Sequence, residues 1–92
     1  MSIVIGTITK DPDDLRTVSI DWSPYLPSGV TVSTYSVTDV DSDLTAASAT
    51  NDTTSSSVVI SGGVAGRYYY VTHRATFDNS DVRDVQTIIA VV

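Results

Sequence analysis

The sequence predicts an all-β domain, and three observations indicate it. Of the 92 residues, 26 are Ser or Thr, 14 are Val and 7 are Ile, whereas only 3 are Leu. β-Branched side chains lose χ1 freedom in a helix but pack well on a pleated sheet. All 11 acidic residues are Asp, which favours turns over helix interiors. Turn signals also recur every 8 to 14 residues, which is typical of a sandwich or a small barrel.

The first half of the chain contains four extended segments. Val18, Ile20 and Trp22 alternate with polar residues, which is the clearest period-two pattern in the sequence. In the third segment the apolar residues change phase between Val32 and Tyr35, and a β-bulge would explain the change. The fourth segment is rich in Ala and Ser, so we expect it at a sheet edge. The predicted strands are residues 2–9, 16–22, 30–39 and 44–50.

The second half contains three more segments, at residues 55–61, 67–77 and 82–92. Glycines separate the first two, and a polar turn at residues 78–81 separates the last two. Alternation divides the segment 67–77 into two faces. The predicted inner face carries Tyr69, Val71, Ala75 and Phe77, and the outer face carries Tyr68, Tyr70, Thr72, Arg74 and Thr76.

Seven short strands in this order predict one domain over residues 1–92, an immunoglobulin-like β-sandwich of about seven antiparallel strands. Trp22 and Tyr69 are the expected core anchors. Gly66, Tyr69 and Val71 resemble a tyrosine corner, in which a Tyr hydroxyl ties the start of a strand to nearby backbone. Val71 would then replace the cysteine that often follows.

Charge and composition exclude several classes of function. The net charge is −6, and the five Lys and Arg residues are scattered, so phosphate backbones would be repelled. Without cysteine, the chain has neither a disulfide framework nor a thiolate metal site. No run approaches the roughly 20 apolar residues of a membrane span, and residues 1–6 lack the basic start of a signal peptide. We expect a protein that is made in a cytoplasm, with neither nucleic acid nor membrane as a partner.

One acidic segment resembles the start of a calcium loop. Asp39, Asp41 and Asp43 alternate as such ligands do, because a hard cation needs several oxygens on one concave face. Leu44 occupies the place of the loop glycine, and Thr50 that of the closing carboxylate. A solvated turn is the simpler interpretation, so we predict neither a metal site nor a cofactor.

His73 is the only histidine and therefore the only candidate for a base of ordinary pKa. Alternation points it inward, although a strand end or a bulge would expose it. A triad with Ser and Asp would assemble only in space, but the sequence has no Gly-x-Ser-x-Gly elbow and is too short for deep cleft walls. We predict no catalytic residues and no enzymatic activity.

The outer face of the segment 67–77 is a candidate partner interface. Tyr68, Tyr70 and Arg74 are residue types enriched in protein interfaces. Cross-strand pairing on a solvated sheet also favours such residues. Glycan binding by stacking on the tyrosines is a third interpretation.

Both ends of the sequence are apolar. Ile3, Val4 and Ile5 form one run, and residues 88–92 form another, with little alternation in either. We expect both runs to be buried on both faces. An apolar edge strand pairs with other chains unless something covers it. The runs therefore favour a domain within an assembly, and Ile3, Val4 and Ile5 join the candidate interface.

Two blocks of sequence resemble a known family. The first combines Lys-Asp-Pro-Asp at residues 10–13 with Asp-Trp-Ser at 21–23, and the second is Ser-Gly-Gly-Val-Ala-Gly-Arg at 61–67. From Lys10 onward the chain resembles small tailed-phage virion proteins of the fibre-tail adaptor family. Residues 39–57 and the triplet at 68–70 depart from that pattern, and partner contacts are expected on such variable surfaces.

The resemblance implies an immunoglobulin-like virion protein, assembled in the bacterial host cytoplasm, that joins other proteins without catalysing a reaction. The leading hypothesis is a tail adaptor that links the tail or connector to fibres or spikes. The alternatives are a capsid decoration protein and a carbohydrate-binding module. The implied partners are tail, connector, fibre or capsid proteins, together with further copies of the chain in a symmetric homo-oligomer.

Overall fold

A computed structural model describes residues 3–92, and in this range the chain folds into seven strands and one short 3₁₀ helix. The helix is Ser23–Tyr25, and no helix in the described range is long and apolar enough to span a membrane. The strands are β1 (Ile3–Lys10), β2 (Arg16–Asp21), β3 (Val32–Asp39), β4 (Leu44–Asn51), β5 (Ser55–Gly62), β6 (Tyr68–Phe77) and β7 (Val82–Val91).

The strands form two sheets that pack as an immunoglobulin-like sandwich, which confirms the predicted fold class. One sheet has the order β1-β7-β6-β3, and the other has the order β2-β5-β4. Strands β2 to β7 thus take the places of strands B to G of the immunoglobulin fold. The structure differs from the expectation in one pairing, because β1 runs parallel to β7 while all other pairs are antiparallel.

Two clusters of buried side chains fill the space between the sheets. Tyr69 and Val71 belong to one cluster, and Trp22 and Phe77 belong to the other. Trp22 is fully buried, and its indole Nε1 donates a hydrogen bond to Ser56 Oγ at 2.8 Å. The two predicted core anchors are therefore confirmed, although Trp22 follows the end of β2 rather than lying within it.

The two apolar runs have different environments. Ile89, Ala90 and Val91 are buried in β7, as expected, because β1 covers one edge of that strand and β6 the other. The expectation is wrong for Ile88, which is half-buried on the outer side of β7, and for Val92, which follows the end of the strand and is 62% exposed. The expectation of burial is wrong for Val4 and Ile5, which are 44% and 39% exposed. The reason is that β1 is an edge strand, with an irregular register between residues 4 and 6. Residue 2 and the side chain of residue 3 lie outside the description.

Irregularities in β3 and β4 agree with the sequence pattern. The register of β3 shifts between Val32 and Thr34, where the apolar phase changes. The Ala- and Ser-rich strand β4 lies at the edge of the three-stranded sheet. It carries its own shift between Ala47 and Thr50, where Ser48 has a φ of 56°. These bulges break the regular ladders of two edge strands.

Candidate binding face

The outer side of the four-stranded sheet presents two tyrosines to solvent. Tyr68 and Tyr70 are 75% and 58% exposed on β6. In the register, Tyr70 lies opposite Ile88 of β7, which in turn lies beside Thr7 of β1. In the next row of outward-facing residues, Val4 of β1 lies beside Gln86 of β7. We call this surface the tyrosine face, and it consists of Val4, Thr7, Tyr68, Tyr70 and Ile88.

The fold brings most of the predicted interface residues to this side of the sheet. Strand alternation and register place Val4 and Arg74 on the same side as the two tyrosines. Ile5 occupies the register irregularity of β1. The backbone of Ile3 pairs with Val85, and its side chain is not described. Alternation in the sequence predicted which β6 residues point outward. It could not show that β1 lies in the same sheet, two strands away from β6.

Arg74 differs from the tyrosines because its charge is already paired. Its Nε and Nη2 donate to the two carboxylate oxygens of Asp84 at 2.8 and 2.9 Å. These hydrogen bonds lower the pKa of Asp84 and raise that of Arg74. A bidentate pair is geometrically specific. Arg74 and Asp84 together therefore add no net charge to this side of the sheet.

A tyrosine corner fixes the start of β6. The Tyr69 hydroxyl accepts a hydrogen bond from the backbone N–H of Val64 at 2.9 Å and donates one to Asp43 Oδ2 at 3.0 Å. Val71 is fully buried two positions later. The predicted corner is therefore confirmed, and it holds the backbone from which Tyr68 and Tyr70 project.

Asp43 is also tied to the neighbouring loop. Its carboxylate forms an ion pair with Arg67 at 3.2 Å, and its carbonyl accepts a hydrogen bond from the N–H of Gly63. Asp41 Oδ1 accepts the N–H of Asp43 at 2.9 Å, as in an Asx turn. Within residues 3–92, no group of three acidic or His side chains converges as metal ligands do.

The two blocks of the family resemblance meet in space through Lys10. This residue is only 1% exposed, and its Nζ donates to the carbonyl of Gly62 at 2.6 Å. Two further acceptors are the carbonyls of Asp11 and Pro12 in its own turn. Lys10 therefore joins β1 in one sheet to the end of β5 in the other. Sequence reasoning missed this role, because a lysine before an acidic turn gives no signal of burial.

His73 lies inward, as alternation predicts, and is a core residue. Its Nδ1 lies 2.7 Å from the Tyr35 hydroxyl, and its Nε2 lies 2.9 Å from Thr87 Oγ1. Burial lowers the pKa of His73 to about 4 and raises that of Tyr35 to about 12. Both ring nitrogens thus contact hydroxyl groups, and none of the described contacts pairs the imidazole with a carboxylate.

A shallow polar depression of about 300 Å³ lies near the β4–β5 turn. Its lining includes Ser19, Thr50 and Ser57 but no aromatic side chain. Asp52 accepts hydrogen bonds there from the N–H groups of Thr54 and Ser55, and these bonds lower its pKa. The depression therefore lacks the flat apolar surface on which a sugar ring would stack.

The fold is a small immunoglobulin-like domain, and one of its sheets carries an exposed aromatic face. A family model described as "Podophage GP4 fiber-tail adaptor protein gp77" (Gp77) matches residues 10–90. Since this match covers most of the sequence, the chain belongs to the Gp77 family of podophage fibre-tail adaptors. The resemblance to phage fibre-tail adaptors is confirmed, and it implies a structural virion component. No curated protein matches the chain.

Proposed function

We propose that this protein joins the tail or connector of a phage particle to a fibre or spike through protein contacts. The observation that carries the proposal is the family match, which spans residues 10–90 and therefore most of the sandwich. The tyrosine face supplies a contact surface of suitable chemistry. Aromatic side chains provide a large contact area at a low cost in conformational entropy.

Two features of the described residues support contact through this sheet. Tyr68 and Tyr70 project from a strand that pairs on both sides and is held by the Tyr69 corner, so their backbone requires little ordering on binding. Val4 extends the apolar surface to the edge of β1, and the exposed Ile5 follows it along that edge. The side of β1 away from β7 has no strand partner within residues 3–92, so its backbone is available for strand addition.

We further propose that the copies form a symmetric array in the tail. Quantitative mass spectrometry of purified particles, with the major capsid protein as a reference, tests this assignment. A closed ring predicts about 6 to 12 copies per particle. Capsids purified without tails serve as the control and should lack the protein.

Other results would contradict the adaptor role. Hundreds of copies, retained on capsids without tails, would indicate a capsid decoration protein instead. Complete absence from the particle would contradict both structural roles. Glycan-array binding that is lost in Tyr68→Ala and Tyr70→Ala would then favour a carbohydrate-binding module.

A further inference from the structure

Acidic turns border the tyrosine face on both sides. The β1–β2 turn begins where β1 ends at Lys10, and the β3–β4 turn begins where β3 ends at Asp39. In the sheet order, β1 and β3 are the two edges, and β6 lies between them. Tyr68 is the first residue of β6 at this same end of the sheet. Six of the 11 acidic residues lie in these turns or at the strand end beside them: Asp11, Asp13 and Asp14 follow β1, Asp39 ends β3, and Asp41 and Asp43 follow it.

Most of the cationic side chains near the tyrosine face are buried or paired with carboxylates. Lys10 is buried among carbonyl groups, and Arg67 is paired with Asp43. Arg74 is paired with Asp84, and Arg16 Nη1 donates to the carbonyl of Thr9 at 2.9 Å.

Arg83, the fifth cationic side chain, belongs to the opposite end of the sandwich. It follows the start of β7, and its guanidinium lies 4.7 Å from the ring centroid of Tyr25 in the 3₁₀ helix. Arg67 and Arg74 are therefore neutralised by carboxylates, and among the described contacts Arg16 alone keeps an exposed, unpaired positive charge at the acidic end of the sandwich. Two tyrosine faces packed with the same ends together would place the acidic turns opposite each other, which opposes that arrangement. In the opposite orientation the acidic turns would face the end that carries the Arg74–Asp84 pair, whose charges already cancel.

We propose that the tyrosine face docks a basic surface of a different protein. Apolar or arginine side chains of that partner stack on Tyr68 and Tyr70, since a guanidinium packs favourably on an aromatic ring. Its Lys and Arg residues lie opposite the two acidic turns. This inference rests on the proposed adaptor function and names the chemistry of the partner.

A consequence concerns the symmetry of the assembly. A basic partner surface neutralises the acidic turns of each copy, whereas direct contact between two tyrosine faces does not. The partner therefore determines how the copies are arranged at this face. Copies of this chain would contact each other through other surfaces, such as the strand edges.

A photo-crosslinking experiment in the intact particle tests the inference. Tyr68 is replaced by p-benzoylphenylalanine in a copy supplied during phage growth, and irradiated particles are analysed by mass spectrometry. The expected product joins this position to a peptide of another virion protein that carries more Lys and Arg than Asp and Glu. A product between two copies of this chain, or with an acidic peptide, would overturn the inference.

Charge reversal supplies a second measurement. Asp13→Lys combined with Asp39→Lys is expected to lower the crosslink yield at residue 68 by about fivefold, because both charges border the face. Neither carboxylate accepts a hydrogen bond in the described structure, so the fold should persist. The matched control is Asp81→Lys, whose carboxylate accepts a hydrogen bond from Asn79 at the other end of the sandwich. Its yield should not change.

The outcomes separate this inference from the proposed function. Equal yields in the double variant and the control would contradict a basic partner. Particles that contain the protein but give only self-crosslinks would overturn the inference and leave the adaptor role intact. Particles that lack the protein would contradict the adaptor role itself.

Discussion

Lys10 is a buried cation, and within residues 3–92 its ammonium group contacts backbone carbonyls rather than a carboxylate. An ammonium group has three N–H donors, and the carbonyls of Asp11, Pro12 and Gly62 provide three acceptors. The aliphatic stem lies in the interior, while the charged group closes the end of the sandwich. Burying a charge is costly unless it is hydrogen-bonded and paired, and here the three carbonyls supply the hydrogen bonds.

We predict that Lys10→Met destabilises the domain by about 3 kcal/mol, because the carbonyl of Gly62 and its neighbours lose a buried donor. Urea unfolding monitored by Trp22 fluorescence measures the change. The control is Arg16→Met, since Arg16 makes one exposed hydrogen bond to the carbonyl of Thr9 and should lose less than about 0.5 kcal/mol. Equal losses in the two variants would contradict the role assigned to Lys10.

At the scale of an element, the connection from β5 to β6 depends on closely packed glycines. Gly63 has a φ of +97°, and a Cβ there would lie 2.7 Å from Val91 Cγ2. Gly62 has a φ of +84°, and its Cβ would lie 2.6 Å from the carbonyl oxygen of Asp43. This backbone accepts the Lys10 ammonium and leads into the tyrosine corner, so the glycines position both.

A pair of alanine substitutions separates backbone strain from steric contact. Gly66 also has a positive φ, of +86°, but a Cβ there would have no heavy atom within 4 Å. We predict that Gly66→Ala costs about 1 kcal/mol from the left-handed conformation alone. Gly63→Ala should cost at least about 1 kcal/mol more, because Val91 must also move. Chemical denaturation of both variants measures the difference, and equal costs would argue against close packing at Gly63.

At the scale of the whole molecule, both sheets contribute to a buried polar network. Trp22 and Ser56 supply one hydrogen bond from the three-stranded side. Tyr35, His73 and Thr87 are linked within the four-stranded sheet. In the described residues, every buried side-chain nitrogen and oxygen has a hydrogen-bond partner. Such satisfied networks favour one packing arrangement over its alternatives.

The pH dependence of unfolding reports on this network. The pKa of His73 is about 4 in the folded state and about 6.5 when unfolded. Between these values the unfolded state binds more protons, so stability falls as the pH is lowered from about 6.5 to 4. We predict a loss on the order of 3 kcal/mol across this window, from 1.36 kcal/mol for each pKa unit.

The composition removes one common source of overlapping titration from this pH window. The chain has one His and no Glu, so no Glu carboxyl titrates between pH 4 and 6.5. Denaturation at a series of pH values measures the slope, and His73→Gln should flatten it while keeping hydrogen-bonding capacity. A wild-type stability that stays constant from pH 6.5 to 4.5 would contradict the assignment.

The sequence by itself determined most strands, the inward positions of Trp22 and His73, and the outward positions of Tyr68 and Tyr70. These features follow from turn residues and a period of two, which act within a few neighbours along the chain. The tyrosine corner was predicted for the same reason, since its parts lie within eight residues of one another.

Only the tertiary structure decided which distant groups meet. It placed β1 parallel to β7 and so exposed Val4 and Ile5 at an edge. It joined Lys10 to Gly62, which lies 52 residues away, and it paired Arg74 with Asp84 across two strands. Such contacts depend on strand order and register, which the hydrophobic pattern of a single strand leaves open. The sequence therefore determined the faces of the strands, and strand pairing determined which residues share the tyrosine face.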